Sequence, residues 1–170
     1  MALSLDQALL FLQRDTEVPS LDMLIFTLRK CRKEKNLTCA RKVQTIAYES
    51  GFDSHAMLGN FTVPMFVECG SIGDAQQVFY RVLPHPNEHS WSSLIQGYSE
   101  YGDPHHAFSL FQEMQNALIV PSLYTYVALL KACGRTRSRN GREKCLEIHL
   151  DVLKRGFDEE PFVGHQLVDM

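Results

Sequence analysis

The sequence predicts an all-α solenoid built from antiparallel helical hairpins, and three observations lead there. The first is internal repetition: Cys31–Asp53 and Cys133–Asp158 share a Cys-led basic helix end, an amphipathic stretch and the same Gly-Phe-Asp stop. The second is an echo around it, because Val-Pro-Ser-Leu at Val18–Leu21 returns at Val120–Leu123, a spacing of 102, whereas the two Gly-Phe-Asp stops lie 105 apart. A unit of that length suits three consecutive hairpins of roughly 34 residues each. The third is that apolar residues recur at helical spacing, at Leu5, Ala8, Leu9 and Leu12 and again at Leu21, Leu24, Ile25, Leu28 and Cys31. The three-residue difference between the two spacings predicts a small insertion in the basic stretch Gly134–Arg142.

Each element follows from local signals. Leu5, Ala8, Leu9 and Leu12 form the i, i+3, i+4, i+7 stripe of an amphipathic helix over Leu3–Gln13, which Val18-Pro19-Ser20 ends. Leu21–Cys31 is a first helix and Leu37–Glu49 its partner, with Gly51 placed to close it in the left-handed conformation. Leu58–Val67 and Ile72–Val82 flank Glu68-Cys69-Gly70-Ser71, where Gly70 serves as C-terminal cap and Ser71 as N-terminal cap. Pro64 brings no amide donor and clashes with the preceding turn, so a bend or a delayed start near Thr62 is expected. Past the breakers Leu83–Asn87, Trp91–Glu100 and Pro104–Asn116 make a third hairpin, opened by an Asp103 cap with proline at the first helical position. Tyr124–Cys133 and Glu143–Arg155 make a fourth, joined by a polar loop Gly134–Gly141, and Pro161–Met170 begins another first helix. The chain is thus expected to enter and leave in mid-repeat, with neighbouring repeats or subunits capping its ends, because exposed solenoid ends need a polar cover.

Composition narrows the function classes. The formal charge of −3 provides no overall cationic field for nucleic acid, so RNA binding would rest on local patches. Five cysteines, with no Cys-x-x-Cys pair and no His-rich spacing, favour reduced thiols over disulfides or zinc. No apolar run reaches the roughly 18 residues of a membrane span. Residues 1–18 carry Asp6, Asp15 and Glu17 beside a single Arg14, so no transit peptide is visible. No nucleophile triad, phosphate-cradling loop, metal-ligand set or paired-carboxylate site emerges, and His105-His106 has no ligand partners at metal spacing. The expectation is a non-catalytic chain without cofactor or metal.

Several segments resemble the pentatricopeptide repeat family, in its plant-type subgroup that cycles standard, long and short repeats. Ser90–Tyr98 (SWSSLIQGY), Ala107–Met114 (AFSLFQEM) and Val120-Pro121 look like a standard repeat; Tyr126–Cys133 (YVALLKAC) with Ile148-His149 and Lys154–Phe157 looks like a long one. Glu68–Ile72, Asp74-Ala75 and Val78-Phe79 look like a short one, and Phe162–Gly164 with Leu167–Met170 like the start of another. The resemblance divides the chain into 1–18 as the second half of a repeat, 19–55 long, 56–87 short, 88–122 standard, 123–160 long, and 161–170 as the start of a short repeat. It implies a right-handed superhelix of about four repeats plus partial ends, located in plastid or mitochondrion and binding single-stranded RNA on its concave face.

In that family a polar residue of each first helix, with one near the repeat's end, reads a base. Carried over, the pairs are Asn60 with Asn87, Ser92 with Ser122, and His165 by itself, while Ile25 with His55 and Val127 with Glu159 or Glu160 put apolar residues at reading positions. The matching base-stacking positions are Met57, His89, Tyr124 and Phe162. The basic clusters of the two long repeats supply possible phosphate contacts, Arg29, Lys33, Arg135 and Arg139. Departures from the pattern are Ile25, Val127, the insertion at 134–142, Pro64, and the lack of an editing-type deaminase tail. The alternative is a scaffold subunit docked by protein contacts in a larger organellar complex, with RNA reading lost.

Overall fold

The computed structural model describes residues 3–14, 18–52, 55–82, 86–136 and 138–168. Asp53, Leu83–His85, Arg137 and the side chain of Phe162 therefore lie outside the described residues. Among the described residues every regular element is helical, in agreement with the expected all-α hairpin repeat, and the chain divides into two compact units, Met1–Pro86 and Asn87–Met170.

The first unit contains α1 (Leu5–Arg14), α2 (Leu21–Glu34), α3 (Leu37–Glu49), α4 (Ala56–Glu68) and α5 (Ile72–Val82). α2 pairs with α3, α4 pairs with α5, the two first helices α2 and α4 lie against each other, and α1 packs on α2 and α3. The apolar stripes meet in a core that includes Leu24, Leu28, Val43, Phe66 and Phe79. Chain reversals follow the capping residues. Ser20 accepts from the Met23 amide at 3.3 Å and Asn36 from the Cys39 amide at 3.0 Å, starting α2 and α3. Gly51 adopts φ +78° after α3 and Gly70 adopts φ +77° after α4, a backbone that glycine tolerates without steric cost.

Pro64 does not delay α4. The helix begins at Ala56, two residues ahead of the expected Leu58, so of the two outcomes expected near Thr62, a bend or a delayed start, the delayed start is not found, and the helix carries the buried Pro64 in its interior. Burial accounts for the tolerance: Leu58, Val63, Met65, Phe66 and Val67 are all covered, so packing against α2 and α5 outweighs the roughly 3 kcal/mol that an interior proline costs. The Thr62 hydroxyl adds a bond to the Leu58 carbonyl at 2.8 Å.

The second unit contains α6 (Glu88–Tyr101), α7 (Pro104–Asn116), α8 (Leu123–Arg135), α9 (Arg139–Lys154), a 3₁₀ turn at Phe157–Glu159 and α10 (Pro161–Val168). The first helices α6, α8 and α10 stand in sequence, α8 touching both others, while α7 and α9 pack behind them. Asn87 accepts from the Ser90 amide at 2.9 Å and so starts α6 three residues ahead of the expected Trp91. Asp103 caps α7 through the His105 amide at 3.0 Å, with Pro104 at the first helical position. Buried Leu94, Ile95, Met114, Tyr126, Leu129 and Leu130 form the core.

The inserted residues do not form the expected loop over Gly134–Gly141. α8 continues to Arg135, Ser138 caps the Gly141 amide at 3.0 Å, and α9 starts at Arg139. α9 has 16 residues where its counterpart α3 has 13, and both helices end just before their Gly-Phe stop. The insertion is therefore an added helical turn at the start of α9. Gly141 is buried in that turn: a Cβ there would lie 2.1 Å from Thr136 Oγ1 and 2.9 Å from Ser138 Oγ. Gly141→Ala is expected to destabilise the second unit by about 1–3 kcal/mol, the usual scale of overpacking. Adding Thr136→Ala should return part of the loss in a urea titration, and no recovery would place the strain elsewhere.

Candidate nucleic-acid interface

The helix register organises the candidate residues. Ile25, Asn60, Ser92, Val127 and His165 are each the fifth residue of a first helix, in α2, α4, α6, α8 and α10. Met57, His89, Tyr124 and Phe162 are each the second residue, and Asp22 takes that place in α2. Second and fifth residues are three apart and share a helix face. His55, Asn87 and Ser122 are the N-cap residues of α4, α6 and α8.

Exposure differs between these sets. At the second positions of α4, α6 and α8 the side chains face solvent, with Tyr124 79% exposed, Met57 54% exposed, and His89 also exposed. At fifth positions they are graded: Ile25 and Ser92 are buried at 8% and 7%, Asn60 and Val127 are half-buried, and His165 is exposed. The Asn87 side chain is engaged in its cap bond, and Ser122 faces Thr125, whose hydroxyl lies 3.1 Å from the Ser122 amide and 3.3 Å from Ser122 Oγ.

Ser92 lies in a polar cluster between α6 and α8 that contains two residues the sequence reading did not single out. Its hydroxyl donates to Glu88 Oε1 and sits 2.6 Å from Thr125 Oγ1, which is itself 3.5 Å from the same carboxylate oxygen. The Glu88–Ser92 half was detectable as an i, i+4 pair in the first turns of a helix. Thr125 comes from the next hairpin, and no local pattern points to it.

Two of the four basic candidates, Arg29 and Arg135, are engaged by neighbours within their units. Arg135 donates to the backbone carbonyls of Ser99 and Gly102, satisfying the C-terminal end of α6. Arg29 stacks over the Phe61 ring at 5.0 Å. Arg139 faces Glu143 at 3.6 Å with both side chains exposed, and Lys33 is exposed. Their neighbours behave similarly: Arg32 forms an ion pair with Glu68 on α4, and Lys131 bonds Glu100 on α6 at 2.9 Å. Burial would raise the Glu100 carboxyl, but its bonds from Lys131 and Gln96 outweigh burial and hold it below the ordinary range.

The thiols are packing groups. Burial raises all five, with Cys31 pushed up to about 12, so they remain protonated at neutral pH, where a thiol is a poor nucleophile and metal ligand. Among the described residues no three His, Cys, Asp or Glu side chains gather as a metal site, and no helix is long and apolar enough to cross a membrane.

Residues 86–135 match the PPR repeat family. The chain is 33% identical over 131 residues to a pentatricopeptide repeat-containing protein of Arabidopsis thaliana, covering 76% of this chain and 13% of the relative. A chloroplastic pentatricopeptide repeat-containing protein of the same plant is 32% identical over 143 residues, 84% of this chain and 16% of its own length. A mitochondrial one is 31% identical over 144 residues, 84% of this chain and 22% of its own length. The chain thus spans less than a quarter of each of these relatives.

Proposed function

We propose that this helical-repeat chain, whose residues 86–135 match the PPR repeat family and most of whose length is similar to pentatricopeptide repeat-containing proteins, is a non-catalytic module for single-stranded RNA. The observation that carries the reading is the shared register. Exposed side chains suited to stacking recur at the second residue of successive first helices, and polar side chains recur at the fifth in α4, α6 and α10. In this reading Asn60, Asn87, Ser92, Ser122 and His165 contribute to base choice, Met57, His89, Tyr124 and Phe162 hold base faces, and Arg29, Lys33, Arg135 and Arg139 supply what phosphate contact there is. The repeats run long, short, standard, long over 19–55, 56–87, 88–122 and 123–160, the order of the plant-type subgroup. Chloroplastic and mitochondrial relatives support an organellar setting.

A second reading, a scaffold subunit within an organellar complex, is favoured by one set of observations: Ile25 is buried at a reading position and Arg135 is spent on α6. Crosslinking followed by capture of the tagged native protein at two salt concentrations separates the two. Recovered RNA that falls as salt rises is expected, because phosphate contacts release counterions. Stoichiometric protein partners with no RNA would replace the first reading by the second.

A further inference from the structure

We infer that Glu88, positioned by Ser92 and Thr125, is the base-selecting group of the α6 repeat, and that it selects guanine. The inference rests on the RNA-binding reading above and assigns the chemistry of one of its sites. Ser92 cannot itself present much surface to a base, since it is buried beside Thr125. Glu88 is half-buried, precedes the exposed His89 at the start of α6, and reaches Thr125, which follows the exposed Tyr124 at the start of α8. The carboxylate thus belongs to the polar floor between two candidate stacking side chains.

Proton placement gives the selectivity. The Ser92 hydroxyl hydrogen goes to Glu88 Oε1, so the Thr125 hydroxyl hydrogen is shared between two acceptors, Ser92 Oγ at 2.6 Å and Glu88 Oε1 at 3.5 Å. Thr125 Oγ1 in turn accepts the Ser122 amide hydrogen at 3.1 Å. Every hydroxyl hydrogen of Ser92 and Thr125 is then consumed inside the cluster. The Glu88 carboxylate, which has no hydrogen to donate, adds only acceptor capacity to this floor. An acceptor-only wall favours a base edge rich in donors. Guanine offers adjacent N1–H and N2 amine donors, whereas the pairing edges of uracil, cytosine and adenine each bring an acceptor against the carboxylate.

The test uses the full chain and short oligouridylates carrying one central guanine, inosine, adenine or uracil, with binding followed by fluorescence anisotropy. Guanine is expected to bind about tenfold tighter than inosine, which lacks the N2 amine, at the lower end of discrimination by one bidentate base contact. Glu88→Gln should reduce that ratio to about twofold or less. Equal guanine-over-inosine ratios in the wild type and Glu88→Gln, with RNA bound by both, would overturn the assignment of Glu88 alone. A wild-type chain that binds none of the oligonucleotides would instead overturn the RNA-binding reading and this assignment with it.

Discussion

Replacing Tyr126 by alanine is expected to lower the stability of the second unit by about 3–5 kcal/mol, the range for deleting a large buried aromatic ring. Tyr126 lies on α8 with 0% exposure, and its ring meets Phe111 of α7 edge-on at 5.8 Å and Phe157 of the 3₁₀ turn at 5.6 Å. Its hydroxyl donates to Asp151 of α9, and Arg155 covers the ring at 5.4 Å while bonding the same carboxylate at 3.3 Å. One side chain therefore joins both second helices and the turn that leads into α10. Burial and the Asp151 carboxylate both push the phenol upward, so the hydroxyl remains a donor across the working pH range. Tyr126→Phe keeps the ring and removes the donor, and about 1–2 kcal/mol should be lost, the scale of a hydrogen bond to a partly solvated charged group. Urea unfolding followed by circular dichroism reads both variants. A Tyr126→Ala loss below about 1 kcal/mol would mean that the site collapses around the missing ring, or that α9 is held by other contacts.

Removing Tyr124 and His89 together should weaken RNA binding while leaving the fold intact. Base stacking on an aromatic ring contributes about 1–3 kcal/mol per base, so the double alanine variant is expected to lose at least about tenfold in affinity for single-stranded RNA. Both side chains face solvent, Tyr124 among the most exposed of the large residues, which makes the expected stability change about 0.5 kcal/mol or less. The contrast with its near neighbour is the strength of the experiment: Tyr124 and Tyr126 lie two residues apart on α8 and point to opposite fates. Unchanged RNA affinity in the double variant, with wild-type binding measurable, would remove stacking at these positions from the proposed mechanism.

Much of the helical framework was legible because this chain writes its helix ends in local chemistry. Ser20, Asn36, Asn87 and Asp103 each precede a helix and each accepts a backbone amide in its first turn. Gly51, Gly70 and Gly156 follow helices with positive φ. Elsewhere tertiary packing outweighs a local preference: buried neighbours carry Pro64 within α4, and α9 begins inside a stretch whose glycines and charges suggest a loop. The candidate interface was legible as a register and not as a surface. Spacing placed Ser92 at the fifth residue of α6, but its burial depends on Thr125, a contact that crosses between hairpins. Likewise Arg135 reads as a free cation in sequence, whereas its partners are carbonyls at the end of another helix.

The extra turn at the start of α9 bears on how such a chain can change length. Three residues rotate a helix by about 300°, close to a full revolution, and lengthen it by about 4.5 Å. Because the addition precedes Cys145, Ile148 and Val152, the buried residues that fasten α9 to its neighbours, none of them had to be re-phased. Growth at a helix's leading end is in this sense mechanically silent for everything downstream, whereas the same three residues placed after Ile148 would turn the following side chains about 60° off their seat. Chains of this architecture should thus tolerate copies of unequal length when the surplus falls ahead of the first packed residue, and a strict ruler laid along the sequence will then lose count although the packing has not.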